Sequence, residues 1–282
     1  MDERPDPSAY VGDVARAEPL GGGFAHHVWR VTTTGGRSMV LKASDRVPPD
    51  LFEIEAEGLR ELRARAGVRT PDVIEVGPRH LLLEGLESGL PDADEFWEAA
   101  GRATAGIHAV RGDRFGWGRD GWLGLLRQRN AWAGDGFAFF AAHRLLRYLD
   151  EPRVRQALDA DDRARLERLC ARLPVLLPPA PCVLTHGDLW RGNLVATAAG
   201  EPVFIDPAVC WMWAETDLSM IYCTGGVPGR FFDAYQEISP LPDGWRERMP
   251  LLNLRELLSV LAHLGPGRGC LAQIRKILHR FA

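Results

Sequence analysis

The chain has 282 residues, 46% of them hydrophobic, and sets 34 Lys+Arg against 38 Asp+Glu for a formal charge of −4 and a pI near 6.1. That length can bury a sizeable core and suits two subdomains flanking a cleft, while the charge excludes the global positive field that holds nucleic acid or an anionic membrane. No stretch approaches the ~20 uninterrupted apolar residues of a membrane span, and the opening MDERPDP has neither a basic nor an apolar leader segment, so a cytoplasmic protein without nucleic-acid or membrane partners is expected.

In chain order, the glycine-rich run Leu20-Gly21-Gly22-Gly23-Phe24 is expected to precede the first strand. Residues 28–31 and 38–43 suit extended structure, with Thr34-Gly35-Gly36 between them as the hairpin turn. Residues 51–66 read as an amphipathic helix that Gly67 ends, and 73–76 and 81–86 as two short strands. This order is that of a small antiparallel sheet carrying one helix, an α+β unit over residues 1–86. The character then changes across residues 87–282. Helical patterns dominate at 94–109, 137–149, 160–173, 229–237, 246–264 and 270–280, broken between Cys182 and Asp206 by two short apolar strands. Residues 111–124 carry two tryptophans without periodicity and read as a substrate-side loop or a connector. Five scattered cysteines, without a C-x-x-C pair, read as reduced core residues.

The densest chemical signal is HGDLWRGN at 186–193, followed by the strand VFID that ends at Asp206. An Asp, an Asn five positions on, and an Asp leaving a strand is the arrangement phosphoryl transfer from ATP needs. Asp188 would accept or orient the proton of the substrate hydroxyl. Asn193 and Asp206 offer hard oxygen ligands to Mg²⁺, and His186 reads as a packed scaffold residue. Upstream, Gly21, Gly22 and Gly23 would let backbone N–H groups approach phosphate oxygens. Lys42 is one cation in an otherwise apolar strand. In the helix, positions 51, 55, 59, 62 and 66 share a face, and Glu55 is its misfit: a carboxylate in an apolar stripe needs a partner, for which Lys42 is the candidate. Glu53, Glu57 and Glu61 form a separate solvated row ending at Arg65. Glu84, Gly85 and Leu86, where the two regimes meet, read as an interlobe hinge whose backbone would hold adenine.

With these residues in hand, the chain resembles the aminoglycoside-phosphotransferase-like kinase superfamily, and within it the fructosamine (ketosamine) kinases. His186-Gly187-Asp188 with Asn193 and Asp206 carries the superfamily likeness. Trp190 in DLWRGN, Asp206-Pro207-Ala208, Glu215-Thr216-Asp217-Leu218 and the run LNLRELL at 252–258 carry the narrower one. The resemblance implies a bilobal protein-kinase-like fold, with a small N-terminal nucleotide-binding sheet lobe (1–86) and a larger, mainly helical catalytic and substrate-binding lobe (87–282). It also implies transfer of the ATP γ-phosphoryl to the sugar 3-hydroxyl of a fructosamine or ribulosamine, as a small molecule or bound to protein, a deglycation-type repair activity. On it Asp188 is the base, Asn193 and Asp206 bind magnesium, and Lys42 with Glu55 positions the phosphates. Asp217 is a structural carboxylate that braces the catalytic loop or caps a helix at 218–223. Trp190, Trp213 and Glu215 are substrate-side candidates. The chain departs from the family where Met212-Trp213 replaces a Gly-His pair and Phe24 replaces a cysteine of some relatives; Trp211 and Trp213 either stack on a sugar or pack in the core. The shared phosphate machinery leaves open an aminoglycoside, choline or homoserine acceptor, and a pseudokinase. No feature sets an oligomeric state.

Overall fold

The computed structural model describes residues 5–21, 26–86, 93–267 and 269–282. Its first strand, β1 (Val14–Leu20), pairs antiparallel with β2 (His27–Thr33). Gly21 therefore follows a strand, which corrects the expectation that the glycines precede the first one; Gly22, Gly23 and Phe24 lie outside the described residues. β1 escapes a pattern search because its burial does not alternate: Ala15, Arg16 and Ala17 are exposed in a row at the sheet edge. The Gly36 N–H donates to the Thr33 carbonyl in the turn to β3 (Ser38–Ala43), and Gly36 takes a φ of 81°, where a side chain would be strained.

Helix α1 (Leu51–Ala66) ends on Gly67 in the left-handed region, whose N–H caps the Arg63 carbonyl. β4 (Val73–Gly77) and β5 (His80–Glu84) complete a five-stranded sheet in the order β1-β2-β3-β5-β4, antiparallel throughout. Alternation along β3 sends Met39, Leu41 and Ala43 into one core with Trp29, Val31 and Leu82. Val40 and Lys42, opposite Leu83 and Leu81, face the other way, the side on which Lys42 meets α1.

Then come α2 (Asp94–Ala109), the hairpin β6 (Gly121–Leu123) and β7 (Leu126–Gln128), and α3 (Gly136–Phe139). α3 runs into a π-helical turn, Phe140–Leu145, and a 3-10 turn, Leu146–Asp150, so the single helix expected over 137–149 is three short pieces. The Arg144 guanidinium lies over the Phe139 ring and donates to Asn130 Oδ1 at 2.6 Å and the Arg129 carbonyl at 2.7 Å, contacts the π turn permits. α4 (Pro152–Ala157), α5 (Ala160–Leu176), β8 (Val183–Thr185), β9 (Leu194–Ala196), β10 (Pro202–Phe204), β11 (Cys210–Met212), α6 (Ala214–Thr224) and α7 (Gly229–Ile238) follow. The helix expected over 246–264 is divided at Asn253 into α8 (Trp245–Leu252) and α9 (Leu254–Leu264), with Pro250 removing one N–H donor just before the break. α10 (Cys270–Phe281) closes the chain.

The chain forms two compact units, each discontinuous in sequence. The first takes Met1–Ile107, Gly192–Ala208 and Pro228–Ile238; the second takes His108–Arg191, Val209–Val227 and Ser239–Ala282. In the first, the sheet and α1 are joined by the β9–β10 hairpin and by α7, against which α2 packs at Gly101. In the second, β8 pairs with β11 amid the helices. All five cysteines are free, and no helix among the described residues is long and apolar enough to cross a membrane.

Candidate active site

In the first unit the chemistry gathers around Lys42. Its side chain is 5% exposed, its Nζ lies 2.5 Å from Glu55 Oε1, and it is also bonded to Asp206 Oδ1. Glu55 thus meets on α1 the partner its place in an apolar stripe requires, while Glu61 pairs with Arg65 on the solvated row. Burial works against the ammonium, but the Asp206 and Glu55 carboxylates together hold it above its ordinary range; burial pushes the Glu55 carboxyl up while Lys42 pulls it down. Asp206 leaves β10 with a φ of 55°, the one non-glycine residue in the left-handed region among the described residues. That conformation costs about 1–2 kcal/mol and aims the carboxylate where an extended strand would not. One residue earlier the Ile205 N–H donates to the Asn193 carbonyl at 3.0 Å, which ties the strand exit to the end of the 186–193 segment. Both Asn193 and Asp206 present hard oxygen donors, the chemistry of a magnesium site completed by phosphate oxygens and water.

At the expected hinge, the Glu84 N–H donates to the Asp72 carbonyl at 2.9 Å and the Gly85 N–H to the Ser38 carbonyl at 3.2 Å; the Leu86 carbonyl accepts from Arg30 Nη2 at 3.1 Å. The Glu84 carboxylate is held by Arg69 Nη2 at 2.5 Å and the Asp72 N–H at 3.1 Å. A Cβ on Gly85 would fall 2.5 Å from the Ser38 carbonyl carbon, so only glycine permits this approach to β3. Gly21 is exposed at the end of β1.

His26, which sequence reasoning passed over, lies in this unit with its ring edge-to-face on Phe52 of α1, centroids 5.4 Å apart. Burial, reinforced by the Lys42 charge, pushes its pKa down to about 3.

In the second unit, Asp217 organises the loop after β8. Its Oδ2 accepts from the His186 N–H at 2.6 Å and its Oδ1 from the Gly187 N–H at 2.9 Å, while His108 Nε2 approaches Oδ2 to 3.2 Å. Burial would raise this carboxyl, but the His108 ring and the backbone donors hold it below the usual range. α6 starts at Ala214, so Asp217 is inside its first turn, with its carboxylate turned to the backbone N–H groups of His186 and Gly187. Gly187 turns the chain with a φ of 81°, and His186 is fully buried, its Nδ1 accepting from the Asp188 N–H at 3.3 Å. The same turn is gripped from its other side. Arg255 Nη1 donates to the Gly187 carbonyl at 2.8 Å, and its Nη2 to Gln128 Oε1 at 2.5 Å, with Glu256 beside it. Burial opposes the Arg255 charge, yet Glu256 holds it above its ordinary range. Both peptide groups flanking Gly187 are therefore fixed by buried ions, which leaves the half-buried Asp188 side chain on a rigid turn.

The fructosamine kinase family profile matches residues 8–281. The chain belongs to the fructosamine kinase family. An Enterococcus faecium protein named "Probable ketoamine kinase" is 33% identical over 269 residues, 93% of this chain and 94% of that one. A chloroplastic protein-ribulosamine 3-kinase of Oryza sativa subsp. indica is 31% identical over 258 residues, 88% of this chain and 74% of that one. The solved structure assigned as a fructosamine-3-kinase of Thermobifida fusca superposes with a TM-score of 0.85 at 32% identity, covering 96% of each chain. An aminoglycoside phosphotransferase, at 15% identity and a TM-score of 0.65 over 98% of each chain, shares the fold alone. This fructosamine kinase family member is accordingly an α+β phosphotransferase of protein-kinase-like fold whose phosphoryl donor is ATP.

The substrate-side candidates of this family member separate by environment. Trp190 is 40% exposed. Trp213 is buried among Phe115, Phe137 and Phe140, with centroid separations of 6.0, 5.1 and 5.6 Å. Trp211 is buried against Gly112 and Trp117, and residues 111–116 are tied to β8 and β11 by isolated bridges, so that segment is anchored in the helical unit. Glu215 is engaged by Arg248 through two hydrogen bonds, 2.7 and 3.0 Å. Arg255 and Gln128 were missed by sequence reasoning, although Arg255, a charge inside the apolar run LNLRELL, carries the signal that selects Glu55.

Proposed function

We propose that this protein transfers the γ-phosphoryl group of ATP to the 3-hydroxyl of a fructosamine or ribulosamine, free or protein-bound, with residues 1–86 serving the nucleotide and residues 87–282 the acceptor and catalysis. Asp188 takes the hydroxyl proton as the oxygen attacks. Lys42, kept charged and aimed by Glu55, meets the α- and β-phosphates; the Gly21–Gly23 stretch lines them with backbone donors; and the Leu86 N–H offers a donor to adenine beside the occupied groups of Glu84 and Gly85. Asn193 and Asp206 hold Mg²⁺, which when bound neutralises charge on the phosphates. His186 and Asp217 set the loop without touching substrate. Trp190 presents an exposed aromatic face for the sugar, and Glu215, held by Arg248, is a further substrate-side residue.

The observation that carries the proposal is Lys42. A lysine that is 5% exposed and bonded to two carboxylates is a poor way to stabilise a fold, because well-packed apolar residues of the same volume are usually as good or better. It is a good way to keep a charge ready for phosphate. The test is ATP consumption coupled to phosphorylation of a small fructosamine, with and without magnesium, beside aminoglycosides and choline. Turnover selective for the fructosamine supports the reading; a response confined to another acceptor sinks the substrate, and silence throughout sinks the enzyme. Asp188→Asn should lower kcat by about 10²–10⁴-fold with little change in nucleotide affinity, whereas Asp206→Ala should abolish the magnesium-dependent part of that affinity.

A further inference from the structure

Both ring nitrogens of His26 are shut off from solvent, and neither has a hydrogen-bond partner among the described residues. A buried polar atom without a partner costs free energy, and native structures hold few of them. Here one ring carries two. Phe52, fully buried on α1, supports the imidazole edge-on, a contact that a phenyl ring would make equally well. The nitrogens therefore add nothing to the packing and wait for a partner that the described residues do not supply.

The charged and titratable groups around the ring are Lys42, Asp206 and the neighbouring His27. Burial and the neighbouring ammonium keep the imidazole neutral, so it offers one N–H donor and one acceptor nitrogen. A cation would have to displace or outcompete Lys42. An anion with several acceptor oxygens, drawn to Lys42, brings what the ring lacks. Resting on the kinase reading above, we propose that His26 is a nucleotide-contacting residue, whose ring N–H donates to a non-bridging oxygen of the triphosphate that Lys42 also engages.

The experiment measures dissociation constants of the full-length protein for AMP-PNP, ADP, AMP and adenosine, each with magnesium, by calorimetry. His26→Phe keeps the ring on Phe52 and removes the donor; it should weaken AMP-PNP about tenfold and leave adenosine unchanged, and His26→Gln, which restores an N–H, should recover most of the loss. The ladder from AMP to AMP-PNP locates the phosphate concerned. Equal affinities for AMP-PNP in His26→Phe and the parent, or a loss shared by adenosine, would overturn the assignment. A second measurement needs no variant: the His26 ¹⁵N resonances of the parent should move on adding AMP-PNP with magnesium and stay still with adenosine, and resonances unmoved by AMP-PNP would overturn it as well. A parent that neither binds AMP-PNP nor transfers phosphate sinks both the kinase reading and the role of His26, whereas a parent with full turnover and a His26→Phe variant that binds AMP-PNP equally well sinks only the role of His26.

Discussion

A carboxylate that accepts from two successive backbone N–H groups and faces an imidazole is doing what no neutral side chain of its shape can do. Asp217→Asn keeps the outline but turns an amide N–H₂ toward one of those donors. Hydrogen bonds to a charged group contribute about 1.5–3 kcal/mol each, so the variant should lose on that order of stability in denaturant unfolding. Because the loop it holds carries Asp188, kcat should fall with it, and a stable variant with full kcat would show that the brace is dispensable. His26 gives a prediction in pH. Burial pushes its pKa from the ordinary 6.5 down to about 3 in the folded chain, so between those values the unfolded chain binds more protons. Stability is therefore full above pH 6.5 and is lost as the pH falls toward 3, by up to about 1.4 kcal/mol per pH unit. His26→Phe escapes this loss, so its melting temperature should gain on the parent between pH 7 and 4.5; a constant gap would mean that the ring accepts a proton without penalty. Glu55 was legible as a charge in an apolar stripe. His26 was not, because its isolation is created by residues far from it in sequence.

At the scale of elements, two glycines of α2 set opposite expectations. A Cβ on Gly101 would lie 2.2 Å from the Phe231 carbonyl oxygen of α7, a backbone atom that cannot swing away, whereas a Cβ on Gly106 meets nothing within 4 Å. Alanine improves intrinsic helix propensity by about 0.8–1.0 kcal/mol at either site. Overpacking typically costs about 1–3 kcal/mol, so it outweighs that gain at Gly101 and is absent at Gly106. Gly101→Ala should therefore lower the unfolding free energy and Gly106→Ala raise it; stabilisation by both would mean that α2 and α7 separate easily. The same contrast explains which elements the sequence revealed. β2, β3, α1 and β5 carry buried residues and β4 carries partly buried ones, among them Ile74 packed on the sheet core, and their apolar patterns show it. β1 stays hidden because Ala15, Arg16 and Ala17 are exposed in a row and break the alternation, and the helical run at 137–149 misleads because apolar spacing does not reveal the π turn at 140–145.

For the molecule as a whole, the change of composition after Leu86 marks where strands give way to helices, but compactness follows a different line. The first unit takes back 192–208 and 228–238 after more than eighty residues spent in the second, and such returns leave no local trace in a sequence. They matter to the sheet itself. The Phe204 N–H of β10 donates to the Arg69 carbonyl at 2.9 Å, and Asp206 supplies one of the two carboxylates that compensate the buried Lys42. A fragment ending at residue 86 keeps all five strands and α1 yet loses both contacts. Lys42 keeps Glu55 in that fragment, but losing one of its two carboxylates and the β10 hydrogen bond weakens a unit that has only about 4–13 kcal/mol of stability in total. The fragment 1–86 should consequently show no cooperative thermal transition at pH 7 under conditions where the full chain does. If it melts cooperatively with dispersed amide resonances, the sheet and α1 are self-sufficient and the returning segments serve the site alone.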